Sequence, residues 1–374
     1  MHGSLPHHPA GPVVLGASAF LAPEAVEAWD AWFRWRQNGE LRDVSVDDTW
    51  DRVVAMLSGP EVPEQAATWR RQLRGTLANW QLLLDERIVA TAGTGTAAWD
   101  TAPLSASLNL ATFVDDAFSA RASFDFAAFD RAAQLAVQAL DNALVCHAPA
   151  LSSQTLRIGV IGMADALHMQ GYCYARRQAL VFAQRIARML AESTLRASAQ
   201  LAQKRGELAF SNENAVALAR ARNMPSDLIQ SVLEHGTRFA AHTAIESQPR
   251  LALLANNVSD AIDPLGAGSP LPSSVGRAAG RSLSPGFSRH LLEHLPRTGR
   301  EGACEDPLQT HSALSQLHMR CAMQAWIDQP IDYPCALDRL PDADEQAQWK
   351  ALATHHGIGP MQWRPARRLV HAQT

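Results

Sequence analysis

Apolar residues recur at helical spacing through most of the chain. Val26, Trp29, Trp32 and Phe33 share one face and predict a first helix. A second carries Trp50, Val53, Val54 and Leu57, with Asp47 and Asp48 offering an N-cap and Gly59-Pro60 a stop. A third, from about Glu64 to Leu84, presents Trp69, Leu73, Leu77, Trp80 and Leu84 on one side. After a Gly/Thr-rich stretch, Thr91 to Thr96, the run Leu104 to Val114 reads as a buried strand leaving a turn. Ser123 is placed to cap the next helix, with Asp125 in its first turn. That helix runs to about Leu144 and buries Phe129, Leu135, Ala136 and Leu140. Ile158 to Met163 begins a further element in which Gly159 and Gly162 permit close packing. A long helix is expected over Arg176 to Lys204 with Gly206 just past its end, and a shorter one over Ser226 to Glu234 stopped by Gly236. Residues 265–310 are dominated by Gly, Pro, Ser and Arg and read as a long irregular loop. Helices at Ser312 to Ile327, with Met319, Met323 and Trp326 as a core stripe, and at Asp344 to His356 complete the pattern.

With 374 residues, 47% hydrophobic and 19% charged, the chain can bury one large core or two ordinary ones. A net charge of -4 gives no basic footprint for nucleic acid. The five cysteines, Cys146, Cys173, Cys304, Cys321 and Cys335, are odd in number and lack C-x-x-C spacing, which argues against a disulfide framework and a zinc ribbon. Reduced thiols and a cytoplasmic location are the expectation. The apolar stretch Val13 to Leu21 has no preceding Lys or Arg and is bracketed by Pro12 and Pro23, so it is not read as a secretory signal. No apolar run approaches the roughly 20 residues of a membrane span.

Several segments, in order, resemble the ribonucleotide reductase large chain, closest to the adenosylcobalamin-dependent class. Leu41-Arg42-Asp43 and Asp47-Asp48-Thr49-Trp50 look like its helical N-terminal region. Arg87 to Gly95 is similar to its G-R-I-x-A-G-A-G-T turn, and Leu108 to Val114 to its N-L-G-S-I-N-L strand. Phe124 to Asn142 resembles the helix ending in L-D-N, Arg157 to Gly171 the R-I-G-x-G-x-M-G-L-A-D segment, Gly236 to Pro264 the strand region with its phosphate loop, and His318 to Gln329 the late H-x-R-M-Q helix. Between Gly95 and Leu104, where the family carries the first half of its barrel with the first redox cysteine and the radical-bearing finger loop, only Thr96 to Pro103 intervene.

The resemblance also departs from the family at its chemistry. Pro103 stands at the second redox cysteine. The phosphate loop P-T-G-T-I-S is matched by Ser247, Gln248, Pro249, Arg250, Leu251 and Ala252, so most hydroxyls are gone and Pro249 removes an N–H donor. No C-terminal cysteine pair follows Cys335. Ribose reduction by a thiyl radical needs specific thiols, so no catalytic residue is assigned, and only Ser247, Gln248 and Arg250 are kept as the remnant of a substrate-phosphate site.

Other constellations are weaker. Cys146-His147, with Asp141 nearby, sits in a connection after a helix, and nucleophile partners usually meet in space rather than in sequence, so catalysis is not expected there. His355, His356 and His371 lack the spacing and carboxylates of a metal site, and none is expected. Gly93 and Gly95 lack the third glycine of a dinucleotide fingerprint. Arg364, Arg367 and Arg368 read as a solvated terminus.

The expected architecture is an α/β protein of high helix content: a flexible lead-in over 1–23, a helical region over 24–97, and a half-barrel domain over 98–374 holding an incomplete, unclosed barrel sheet. The expected role is that of a catalytically deficient large-chain homologue acting as scaffold, regulator or assembly factor. The alternatives are a reductase component completed by another chain, or a nucleotide-binding protein. Adenosylcobalamin is implied by the family alone. An open sheet exposes strand edges, so a homo-oligomer or a protein partner is expected, with no nucleic acid and no membrane.

Overall fold

The computed structural model describes residues 19–96, 99, 103–147, 155–206, 212–267, 286–294, 312–337, 339 and 341–366. Four strands form the central sheet in the spatial order Leu82–Leu84, Ser105–Asn109, Thr155–Ile161, Ala241–Thr243. The last three are parallel and the first is antiparallel to its neighbour. Parallel strands need long crossovers, and helices supply them: Phe126–His147 returns the chain to Thr155–Ile161, and Arg177–Arg205 begins the return to Ala241–Thr243. These two helices pack against each other and cover the sheet, which is why Ser105–Asn109 and Thr155–Ile161 are buried at almost every position. The fold is therefore helix-rich α/β, and its sheet does not close into a barrel.

Glycine is required at two places. A Cβ on Gly159 would lie 2.3 Å from the carbonyl oxygen of Ala244, because the strands approach there across an irregular register. Gly162, at φ +75°, turns the chain from strand Thr155–Ile161 into helix Met163–Met169, and a Cβ there would lie 2.7 Å from Asn109 Oδ1.

The Trp-rich N-terminal helices pack onto the same core as the sheet. Trp50 and Trp80 meet edge to face at 5.6 Å, and Trp29 donates its indole N–H to Thr49 at 2.9 Å. The capping of helix Val46–Leu57 differs from expectation: Ser45, not Asp47 or Asp48, is the N-cap, and Asp48 closes a capping box with it. The expected helix through Leu84 stops at Ala78. Trp80 adopts φ +57°, and Leu82–Leu84 becomes the antiparallel edge strand. A run of three leucines fits a fully buried strand as well as a helix, and pairing with Ala106–Leu108 decides between them.

Three further expectations change. Leu104 to Val114 is not one strand: it breaks after Asn109 into a 3-10 turn, Leu110–Phe113. Ser123 lies in a short strand, and Asp125 caps helix Phe126–His147 through Ala128 N–H at 2.9 Å. Within Gly236 to Pro264, matched to the family's strand region with its phosphate loop, Pro249–Leu254 is a helix, a start favoured by proline at its first position. Within the expected irregular loop 265–310, Phe287–His294 is helical, while 268–285 and 295–310 lie outside the described residues.

The outer edge of Ala241–Thr243 is occupied. Asp328 accepts the N–H groups of His242 and Thr243 at 2.8 and 3.1 Å, Gln329 N–H donates to Thr243 O, and Asp328 N–H donates to Thr243 Oγ1. Side chain and loop thus satisfy backbone groups that would otherwise seek another strand.

Candidate functional site

In open parallel sheets the functional crevice lies beyond the carboxyl ends of the strands. Here those ends are Asn109, Ile161 and Thr243, and a dense polar cluster lies past them. It is organised by the loop that follows helix Pro249–Leu254. Gly162 N–H donates to Ser259 O at 2.8 Å, and Ala164 N–H to Ser259 Oγ at 3.2 Å. Asp165, fully buried in helix Met163–Met169, accepts Ser259 N–H at 2.6 Å and Ser288 N–H at 3.0 Å. The aspartate of the Gly-x-x-Gly-Met-Ala-Asp stretch is therefore a brace for two loops.

The same loop carries Asp260 and Asp263. Asp260 accepts the Ser247 hydroxyl at 2.5 Å and the Gln248 N–H at 2.6 Å. Burial, with Asp263 adding repulsion, pushes its carboxyl up to about 7. Asp263 is held by Arg364 at 2.9 Å and faces Arg320 at 3.8 Å. Arg320 lies over the Tyr333 ring at 4.4 Å and donates to Tyr333 O, while its Nε and Nη1 have no partner. Tyr174 donates to Ile262 O at 2.6 Å, and Ile262 N–H donates to the Tyr333 hydroxyl at 3.4 Å. Burial raises both phenols, so each stays neutral. Between the two aspartates, Ala261 sits at φ +45°, a strained conformation for a residue with a Cβ.

A buried histidine adjoins this cluster. His168 Nδ1 is 3.1 Å from the Ser288 hydroxyl, its Nε2 has no partner, and burial lowers its pKa. The imidazole is neutral and packs edge-on to Phe118 at 5.0 Å.

Of the three residues kept from the phosphate loop, the structure brings Ser247 and Gln248 together on Asp260 and sends Arg250 elsewhere. Arg250 pairs with Glu86 at 3.3 Å and lies over the Trp32 ring at 5.2 Å. Sequence reading missed Asp165, Asp263, Arg320, Tyr174 and Tyr333, and gave Asp260 no role. Arg364, read as a solvated terminus, is instead drawn inward by Asp263. Arg367, Arg368 and His371 lie outside the described residues, as does Cys304.

Two of the thiols, Cys321 and Cys146, are held back from ionising. Burial pushes the Cys321 thiol up to about 11 and raises that of Cys146, whose Sγ donates to Met56 O; Cys335 is buried. Pro103, matched in the sequence resemblance to a redox cysteine, contributes its carbonyl to Arg87 at 3.2 Å. Asp141 is committed to an ion network: it holds Arg205 at 2.5 Å and Arg238 at 2.8 Å, and Glu61 joins through Arg205 and Asn142. That network explains the Leu140-Asp141-Asn142 motif structurally. Among the described residues, no three His, Cys, Asp or Glu side chains converge as a metal site. The described residues of the cluster do not present a fit to adenosylcobalamin either, since their polar groups are mostly paired and buried, and neither Cys146 nor Cys321 is an activated thiol.

Residues 104–268, which take in the parallel strands, both crossover helices and the bracing loop, match the family described as ribonucleotide reductase, barrel domain. Over that stretch the protein is like the reductase large chain. No curated protein matches the chain. No helix among the described residues is long and apolar enough to cross a membrane.

Proposed function

We propose that the chain is a shortened, catalytically deficient relative of the ribonucleotide reductase large chain, descended from its B12-dependent class by loss of the first half of the barrel. It acts in the cytoplasm as a scaffold, regulator or assembly factor, as a homo-oligomer or with a protein partner. The observation that carries this reading is Asp260. Its carboxylate takes the Ser247 hydroxyl and the Gln248 N–H, the groups a substrate phosphate would need, so the anion position is filled from within. Pro103 in place of a thiol supports the same conclusion. Purified protein incubated with ribonucleoside di- and triphosphates, adenosylcobalamin and dithiothreitol is expected to form no deoxynucleotide and to bind neither nucleotide nor cobalamin. Deoxynucleotide formation by the chain alone would sink the proposal.

One observation favours a second reading, a reductase component completed by another chain. A buried carboxyl poised near neutral pH beyond parallel strand ends is the kind of group that serves as a general base. Activity that appears only on adding a thiol-bearing partner chain would select it.

A further inference from the structure

Away from this cluster, a groove of about 600 Å³ opens on the outer face of helix Phe126–His147. Helix Pro63–Ala78 and the following Gln81 form one wall, and the C-terminal half of Arg177–Arg205 forms the other. Its floor is apolar and shallow, with Leu135 and Leu201 flanked by alanines. Its rim is amide-rich and cationic: Gln72, Gln81 and Gln200 with Arg131 and Lys204. None of these five side chains has a hydrogen-bond or ion-pair partner among the described residues. The one carboxylate on the groove, Asp125, is engaged by the helix it caps.

We propose that this groove docks a short, extended, acid-bearing segment of a partner protein. The proposal rests on the partner reading above and gives that partner a surface. Three features select the occupant. Unpaired amides on both walls offer donors and acceptors in pairs, which suits the C=O and N–H groups of an extended backbone. Two cations without an ion-pair partner, against the single carboxylate of Asp125, call for carboxylates. No aromatic side chain lines the groove, so a nucleobase finds no stacking face. From Asp125 to Gln138 the floor runs about 20 Å at 1.5 Å per helical residue, the length of about six extended residues.

The test is selection from a phage-displayed library of random heptapeptides on the full-length protein. Enriched peptides are expected to be rich in Asp and Glu, to weaken as salt is raised, and to bind R131E/K204E about tenfold or more weakly. Both positions are exposed, so circular dichroism of the variant should match the parent. If that variant misfolds, Q72L/Q200L, which removes one amide from each wall, carries the same test. Failure to enrich acidic peptides, or binding indifferent to the substitutions, overturns the proposal. That outcome leaves the catalytic-deficiency reading intact, because turnover is measured separately; deoxynucleotide formation with acidic peptides still bound would remove that reading and leave the groove.

Discussion

The carboxylate of Asp260 accepts the backbone N–H of Gln248 at 2.6 Å, across the gap between the strand end and the loop that braces it. That contact joins two segments that share no strand pairing. It also gives a buried donor its acceptor, which is cheaper than leaving it unmet. Its cost is a charge held out of water beside a second carboxylate, Asp263, and the raised pKa measures that cost.

The cost should appear as a pH dependence. A carboxyl whose folded pKa is about 7, against an ordinary 3.8, binds its proton more tightly in the folded state. Stability contributed by Asp260 is therefore greatest below the ordinary value and declines as pH rises toward 7, by about 4 kcal/mol in total. D260N does not titrate. The stability of the parent minus that of D260N, from urea unfolding between pH 4 and 8, should fall with pH. A difference that is flat, or that rises, contradicts the assignment.

Two glycines should respond oppositely to alanine. At Gly159 a Cβ meets the Ala244 carbonyl, a backbone atom that cannot move aside, and G159A should cost about 3 kcal/mol or more. Gly75 lies inside helix Pro63–Ala78 with nothing within 4 Å of its added Cβ, and G75A should stabilise by about 1 kcal/mol. Denaturant midpoints of the two variants decide it.

These contrasts show what the residues alone could reveal. Helix periodicity found nearly every long helix, because each buries one face and the apolar spacing records it; Gly206 and Gly236 marked true helix ends. The need for close packing at Gly159 and Gly162 was equally legible. Leu82–Leu84 was not, since only pairing with Ala106–Leu108 distinguishes it from a helix turn. The polar cluster was the least legible. Asp165, Asp263, Arg320 and Arg364 come from widely separated segments, and nothing in their spacing announces that they meet. Ser247 and Gln248 were singled out through the family resemblance, whereas the carboxylate that takes their donors was visible only in three dimensions.

Cys321 should be sluggish. Raising a thiol from 9.0 to about 11 lowers its thiolate fraction at pH 8 about 100-fold, while the more basic thiolate is intrinsically about tenfold more nucleophilic. Cys321 should therefore alkylate about tenfold more slowly with iodoacetamide than a free thiol, before any loss from limited access. Peptide mapping after timed labelling measures this, and labelling at or above the free-thiol rate would show that the site is activated after all.

The strand edge supplies the last prediction. Asp328 holds two N–H donors of Ala241–Thr243 and pairs with Arg222 at 2.9 Å, all with little exposure to water. Burial alone would raise its carboxyl; His242, the Arg222 guanidinium and the bonded backbone N–H outweigh it and hold the pKa below the ordinary carboxylate value. Because the folded value is depressed, the stabilisation is present above the ordinary value and is lost as pH falls through the folded one. D328A removes the acceptor and leaves Arg222 and the two donors unmatched, so stability at neutral pH should drop by about 3–5 kcal/mol. It also uncovers a strand edge, and the variant should aggregate on mild heating where the parent does not. D328N keeps one acceptor oxygen and should fall between them. Thermal unfolding with light scattering reports both effects, and a D328A variant as stable and as dispersed as the parent would mean that something other than Asp328 closes this edge.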